Sequence, residues 1–284
     1  MTNLETIKLG VYEKSIPLQL SWKEKFECAK NAGFDFIELS VDGLEPRINR
    51  LDWDDAQINE IRHAMEETGV PLMTMALTAN RYYPLGESDS ELRNKGIEIV
   101  RKGIRLAVRL GIRTIQLAPY DVYKSESTAH TRALFIEALR ELVPYAADHG
   151  VVLTIEVMPD EVPFCSTVQQ ARAIVDLIGS PYLQIYTDTG NVASNGLDPV
   201  PDLCYGGTHL VASHIKDATL GCCRKVPFGE GIVDFEACFR EFRRLDFHGM
   251  FIAEMWSDED EGFIPYLTTA VNYIRGKIKA ANQD

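Results

Sequence analysis

The sequence predicts an α/β chain folded as one (β/α)8 TIM barrel, a single domain over residues 1–284. Three observations carry that expectation. Eight short apolar runs rich in β-branched residues recur along the chain, longer amphipathic stretches separate them, and glycine marks several joins where a stretch gives way to the next run.

In order, the runs are IKLGV (7–11), FDFIEL (34–39), PLMTMAL (71–77), RTIQLA (113–118), VVLTIEV (151–157), LQIYTD (183–188), LVASHIK (210–216) and MFIAEM (250–255). Each is nearly continuous in apolar residues, as strands buried on both faces are. Two of the intervening stretches show one buried helical face clearly, through Leu139, Leu142, Val143 and Ala146, and through Val168, Ala171, Ile174, Val175 and Ile178. Glycines in NAGFDF, ETGVPL, RLGIRT and DHGVVL stand where a helix ends and the chain turns into a strand. A last helix from about Phe263 to Ala280 closes the barrel. Eight βα units in this length fit a closed barrel better than an open doubly wound sheet, and no GxGxxG follows the first run. Neither a low-complexity linker nor an internal repeat beyond the βα alternation divides the chain.

Composition narrows the function classes. With 45% hydrophobic residues the chain can bury one large core. A formal charge of −13 disfavours nucleic acid as a partner, because that binding draws on clustered Lys and Arg. It leaves room for an anionic small molecule, since a few cations in a cleft outweigh distant charge. The six cysteines form no CxxC pair, so neither a zinc knuckle nor a thioredoxin-like motif is written here. MTNLETIKLG lacks the basic start and apolar core of a signal peptide, and no run approaches 18 apolar residues. The expectation is a cytoplasmic protein without a membrane partner.

Chemistry in such a barrel sits at the C-terminal ends of the strands. Glu156, Asp188, His214 and Glu254 end or nearly end the fifth to eighth runs, one each. Adjacent strands would bring them together. Carboxylates crowded at one barrel mouth repel one another and lose hydration, so without a cation at least one should hold a proton. One divalent metal ion resolves that conflict. Oxygen and imidazole donors without thiolate suit Zn²⁺ or Mn²⁺, with Mg²⁺ and Co²⁺ also compatible. A metal holding the carbonyl and adjacent hydroxyl of a ketose acidifies the C–H between them by stabilising the enediolate. Glu156 and Glu254, two strands apart, would serve as acid and base on opposite faces, with Asp188 and His214 as ligands alone.

Further polar and aromatic residues belong to the same rim. Glu13 and Glu38 are carboxylates that orient neighbouring groups or face solvent. Lys14, Arg81, Lys216, Arg224 and Lys225 lie where a phosphate could be met. In VPFGEGIVDF (226–235), Gly229 and Gly231 bring backbone N–H groups toward an anion ahead of a helix capped by Asp234. Among Trp22, Trp53, Tyr82, Tyr83, Tyr120 and Trp256, the last, two residues past Glu254, is the best candidate for a sugar wall, and Trp22 reads as helix packing. Cys222 and Cys223 have no His at a spacing that suggests a nucleophile.

With these residues in place, the chain resembles the xylose-isomerase-like barrels, and most closely their L-xylulose-5-phosphate (L-ribulose-5-phosphate) 3-epimerases. The matching stretches run almost end to end: LGVYEKSIP, GFDFIELSVD, RINRLDW, RYYPLGE, IRTIQLAPYDVY, TIEVMP, DTGN, HIKD, VPFGEGIVDFEACF and IAEMW. The resemblance implies Glu156, Asp188, His214 and Glu254 as metal ligands, with the two glutamates as proton carriers. It further implies a cytoplasmic homodimer acting on a phosphosugar in L-ascorbate breakdown. Substrate or its phosphate is expected near Lys14, Arg81, Asn191, Lys216, Lys225, Gly229 and Trp256. Relatives that epimerise unphosphorylated ketohexoses carry His where Asn191 stands and Arg where Leu220 stands, which sets this chain apart from them. Asn80 and Pro119 depart from the His and Gly of the phosphopentulose enzymes. Rival readings are a ketose, hexulose-phosphate or hydroxypyruvate isomerase with the same metal, an epimerase of a free ketose, an abasic-site endonuclease, and a sugar-phosphate sensor. The endonuclease needs several metals and a His-rich ligand set, whereas only His214 of the six histidines ends a strand.

Overall fold

A computed structural model describes residues 2–159, 161–258 and 260–283. Eight parallel strands close into a barrel in sequence order: β1 Leu9–Tyr12, β2 Phe36–Val41, β3 Leu72–Leu77, β4 Thr114–Leu117, β5 Val152–Glu156, β6 Leu183–Asp188, β7 Leu210–Ile215 and β8 Met250–Ala253. All eight fall on the apolar runs. The first begins later than its run because Ile7 closes a short 3-10 turn, Leu4–Thr6, by donating its N–H to the Leu4 carbonyl.

The helices are α1 Trp22–Ala32, α2 Asp55–Thr68, α3 Ser90–Leu110, α4 Ala129–Asp148, α5 Val168–Ile178, α6 Thr189–Ser194, α7 Pro199–Leu203, α8 Phe235–Arg244 and α9 Ile264–Asn282. Leu139, Leu142, Val143 and Ala146 are buried on α4, and Val168, Ala171, Ile174 and Val175 on α5, as their spacing requires. Local chemistry sets the ends. Ser21 and Glu24 form a capping box on α1, Asp54 and Gln57 one on α2, and Asp234 caps α8. Gly33 takes φ +98° after α1, where a side chain would be strained. No described helix is long and apolar enough to cross a membrane.

Most buried apolar side chains lie between the strands and the helical ring. Inside the barrel, Tyr12, Phe36, Ala76, Tyr186, Ala212 and Ile252 form a separate, smaller cluster. Phe36 fills this space only because β1 carries Gly10. A Cβ there would lie 2.3 Å from the Phe36 ring, inside any tolerable contact. Two-residue alternation from this cluster toward the strand ends turns Glu38, Asp188, His214 and Glu254 to the interior as well. The apolar plug thus floors a polar chamber at the C-terminal mouth.

Candidate metal centre and active site

Register brings the quartet together. Asp188 pairs directly with His214 across β6 and β7, Glu156 with Tyr186 across β5 and β6, and the Glu254 N–H donates to Ile215 one residue past β8. Each of the four offers one donor atom, and these lie within 4.8 Å of one another. His214 Nδ1 stands 2.9 Å from Glu156 Oε1, 3.5 Å from Glu254 Oε2 and 3.7 Å from Asp188 Oδ2. It is the point on which the three carboxylates converge.

A carboxylate from across the barrel holds the far side of that imidazole. Glu38 Oε2 is 2.7 Å from His214 Nε2, and its other oxygen accepts from the Tyr186 hydroxyl at 2.8 Å. Both side chains are fully buried. With Nε2–H committed to Glu38, the lone pair that faces the quartet is on Nδ1, an arrangement common to metal-binding histidines. Gln116 Nε2 similarly donates to Glu156. Asp188 Oδ1 caps α6 by accepting the Asn191 N–H at 2.8 Å, leaving Oδ2 toward the chamber.

Lys216 enters from the same strand end. Its ammonium lies 2.8 Å from Asp188 Oδ2 and 2.7 Å from Glu254 Oε2, and donates to Asn191 Oδ1 at 2.8 Å. Burial and the neighbouring carboxylates push Glu156 up to about 7, overcoming the lowering influence of His214. Burial would also raise Asp188, but Lys216 and His214 outweigh it and hold the carboxyl down at about 2. Burial would lower His214; Glu254 and Glu38 more than offset that and raise it well above its ordinary value.

The residues fit a divalent cation on these observations. Three buried carboxylates, with Glu38 behind the imidazole, face Lys216 and His214, and burial at Glu156, together with this crowding of negative charge, raises both Glu156 and His214 toward holding protons. Asp188 Oδ2, fully buried, makes no well-aligned hydrogen bond despite the nearby ammonium. A divalent ion and Lys216 together balance three carboxylates, and oxygen with imidazole donors is a set such ions accept.

Above the quartet opens a cavity of about 600 Å³, lined by Glu156, Glu254, Tyr12, Asn191, Trp256 and Met158 among others. Four cations also line it: Lys14, Arg81, Lys216 and Arg224. The space suits a small polar molecule.

A family model described as xylose isomerase-like TIM barrel matches residues 26–275. The chain belongs to that family. L-ribulose-5-phosphate 3-epimerase UlaE of Escherichia coli O157:H7 (strain EC4115 / EHEC) is 39% identical over 275 residues, 97% of this chain and 96% of that protein. Among solved structures, an L-ribulose 3-epimerase superposes with a TM-score of 0.82 at 18% identity, covering 98% of this chain and 96% of its own. A D-psicose 3-epimerase solved in the presence of D-fructose gives 0.81 at 20%, covering 96% and 99%. These two establish the barrel alone. With the UlaE likeness, the chain is an isomerase-class enzyme, an epimerase.

Within this xylose isomerase-like barrel the other anticipated residues separate. Lys14, Arg81, Asn191, Lys216 and Trp256 all line the cavity; Lys225 and Gly229 do not. Lys225 points outward to Asp258 at 2.7 Å. The Gly229 and Gly231 N–H groups do hold an anion, but it is this chain's own Asp217 carboxylate, at 2.9 and 3.1 Å. Lys14 pairs with Asp42 at 2.6 Å, and Arg81 with Glu161 at 2.6 Å. Glu13 lies outside the chamber, fully buried between Arg50 and Lys25. Trp22, the first residue of α1, packs edge-on against Trp53, and neither lines the cavity. Sequence reasoning passed over Tyr186 and Gln116, which touch Glu38 and Glu156. Both stand an even number of residues before an interior strand-end residue or its neighbour in register, a signal that counting back by twos exposes.

Proposed function

We propose that this epimerase is a divalent-metal-dependent 3-epimerase interconverting L-xylulose 5-phosphate and L-ribulose 5-phosphate. One observation carries the reading: two buried glutamates, from strands separated by two others, converge on His214 Nδ1 at the floor of a sugar-sized cavity. The likeness to UlaE supplies the substrate class.

Glu156, Asp188, His214 and Glu254 would hold the ion, Zn²⁺ or Mn²⁺ before Mg²⁺ or Co²⁺. When bound, it supplies Lewis-acid polarisation of the ketose oxygens, which acidifies the C3–H. The rest falls to the chain. Glu156 and Glu254 would flank C3 of a bound ketose, so that one carboxylate removes its proton and the other, protonated, returns one from the opposite side. The carbon inverts, and the two glutamates exchange roles in the reverse direction. Lys216 and Asn191 fix Glu254 and Asp188 by hydrogen bonds. Trp256 and Tyr12, packed edge to face with ring centroids 6.3 Å apart, wall the sugar and exclude water.

Incubation of metal-loaded protein with L-xylulose 5-phosphate in D2O is expected to give L-ribulose 5-phosphate carrying deuterium at carbon three. Deuterium at carbon one or two would instead identify a ketose isomerase. Elemental analysis should find about one divalent ion per chain. Glu156→Gln is expected to abolish turnover in a folded barrel, and retained activity would remove Glu156 from the mechanism.

A further inference from the structure

We propose that Ser40 is a positioning residue: its hydroxyl donates to the Tyr12 phenol and fixes the ring against which the ketose binds. The inference rests on the function proposed above, in which Tyr12 walls the sugar, and adds to it the residue that sets that wall.

Tyr12 ends β1 and lines the cavity, its ring centroid 6.0 Å from that of His214 and 6.3 Å from that of Trp256. Its hydroxyl stands 3.2 Å from Ser40 Oγ on β2, and among the described residues neither hydroxyl has another hydrogen-bond partner. Two O–H groups thus share one bond, and one proton is left over. Ser40 is fully buried and does not line the cavity, so a proton left on its side would be stranded in a dry interior. The arrangement without that cost has Ser40 donating, which leaves the phenol proton at the cavity wall for a sugar oxygen to accept. Accepting from Ser40 also polarises the phenol as a donor.

Ser40 is itself clamped. Strand β1 pairs with β2 only as far as Glu38, and beyond that point a buried ion pair takes the place of a neighbouring strand. The Ser40 N–H donates to Glu13 Oε2 at 3.0 Å, and its carbonyl accepts from Arg50 at 2.7 Å. Arg50 also donates to both Glu13 oxygens, and Lys25 donates to Glu13 at 2.8 Å. On the other side, the turn after β1 is tied to the segment after β8. The Ser15 hydroxyl donates to the Met255 carbonyl at 3.0 Å, and the Ser257 N–H to the Lys14 carbonyl at 2.9 Å. Tyr12 and Trp256 therefore face each other from a frame fixed at both edges. A buried ion cluster stabilises a fold little more than apolar packing would, whereas a wall that must meet substrate within about 0.5 Å needs such bracing.

The test is a double-mutant cycle on the metal-loaded enzyme: wild type, Ser40→Ala, Tyr12→Phe and the double variant, assayed on L-ribulose 5-phosphate. Alanine keeps the N–H and carbonyl that Glu13 and Arg50 hold, so the barrel should fold. Ser40→Ala is expected to lower kcat/KM about three- to tenfold in the wild-type background, and less than about 1.5-fold in the Tyr12→Phe background. A serine with a merely structural role would cost the same factor in both backgrounds. That result, or full activity in Ser40→Ala, would overturn the proposal. A wild-type enzyme inactive on L-ribulose 5-phosphate would overturn the phosphopentulose reading instead, and the same cycle on whichever free ketose it turns over, L-ribulose first, would then decide the role of Ser40.

Discussion

Replacing Glu38 by Gln isolates what the far side of His214 contributes to metal binding. Gln preserves shape and one acceptor for Nε2–H, and its amide still meets the Tyr186 hydroxyl, so the barrel should fold. What changes is the 2.7 Å bond, from charge-assisted to neutral. Hydrogen bonds to a charged partner contribute about 1.5–3 kcal/mol and neutral ones about 0.5–1.5, so the loss is roughly 1–1.5 kcal/mol, or about tenfold in affinity. That sits at the lower end of the roughly 10- to 100-fold cost seen when such outer partners are removed. One effect opposes it. Glu38 also helps keep a proton on His214 in the metal-free protein, and removing it eases the competition between proton and metal. That competition fades as protons become scarce, so the deficit should widen from pH 6 to pH 8. Competition titration of Mn²⁺ against a chelator at pH 6, 7 and 8 measures it, and Co²⁺ absorption reports any change in the ligand set. Equal or tighter binding by Glu38→Gln at pH 8 would refute the argument that Glu38 orients His214.

Lys216→Met should act with the opposite sign. Deleting a cation 2.8 Å from Asp188 leaves the carboxylates more negative, so divalent metal binds roughly tenfold or more tightly, while turnover falls because Glu254 loses its donor; weaker metal binding would refute the charge balance. Glu13, fully buried between Arg50 and Lys25, is held well below the ordinary carboxylate range because the two cations outweigh the cost of burial. Its folded pKa lies beneath its unfolded one, so its stabilisation is complete above about pH 4.3 and is lost as pH falls further toward the depressed value. Glu13→Gln should cost about 3–5 kcal/mol in denaturant unfolding at pH 7, where it strands two buried cations, and should flatten the acid limb of the stability curve. An unchanged acid limb would show that another group controls it.

The barrel was legible because its strands are buried on both faces and so appear as continuous apolar runs, while helix ends carry their own signals, as Gly33 after α1 and Asp234 before α8 do. The quartet was legible for a related reason. A charge at the end of an apolar run has left the packed layer, and in a barrel every strand end of one polarity opens on the same chamber. Ile7 marks where local information ran short, since its apolar side chain suits a strand but its N–H closes a 3-10 turn.

Pairing across the barrel had no local signature. Glu38 and His214 are 176 residues apart, and nothing near either one announces a 2.7 Å contact. The cations show the same limit from another side. Lys14, Arg81, Lys216, Arg224 and Lys225 look alike in sequence, because each is a basic residue on a loop at the same rim. What distinguishes them is which carboxylate each has already met, and for Arg81 that partner, Glu161, lies 80 residues away. A charge spent on an internal carboxylate must give up that bond before it can serve a ligand, whereas a charge left with only an aromatic face can bind at no such cost. The five resembling cations thus resolve into four that hold the protein's own acids and one, Arg224, that among the described residues meets the Trp256 ring and no carboxylate.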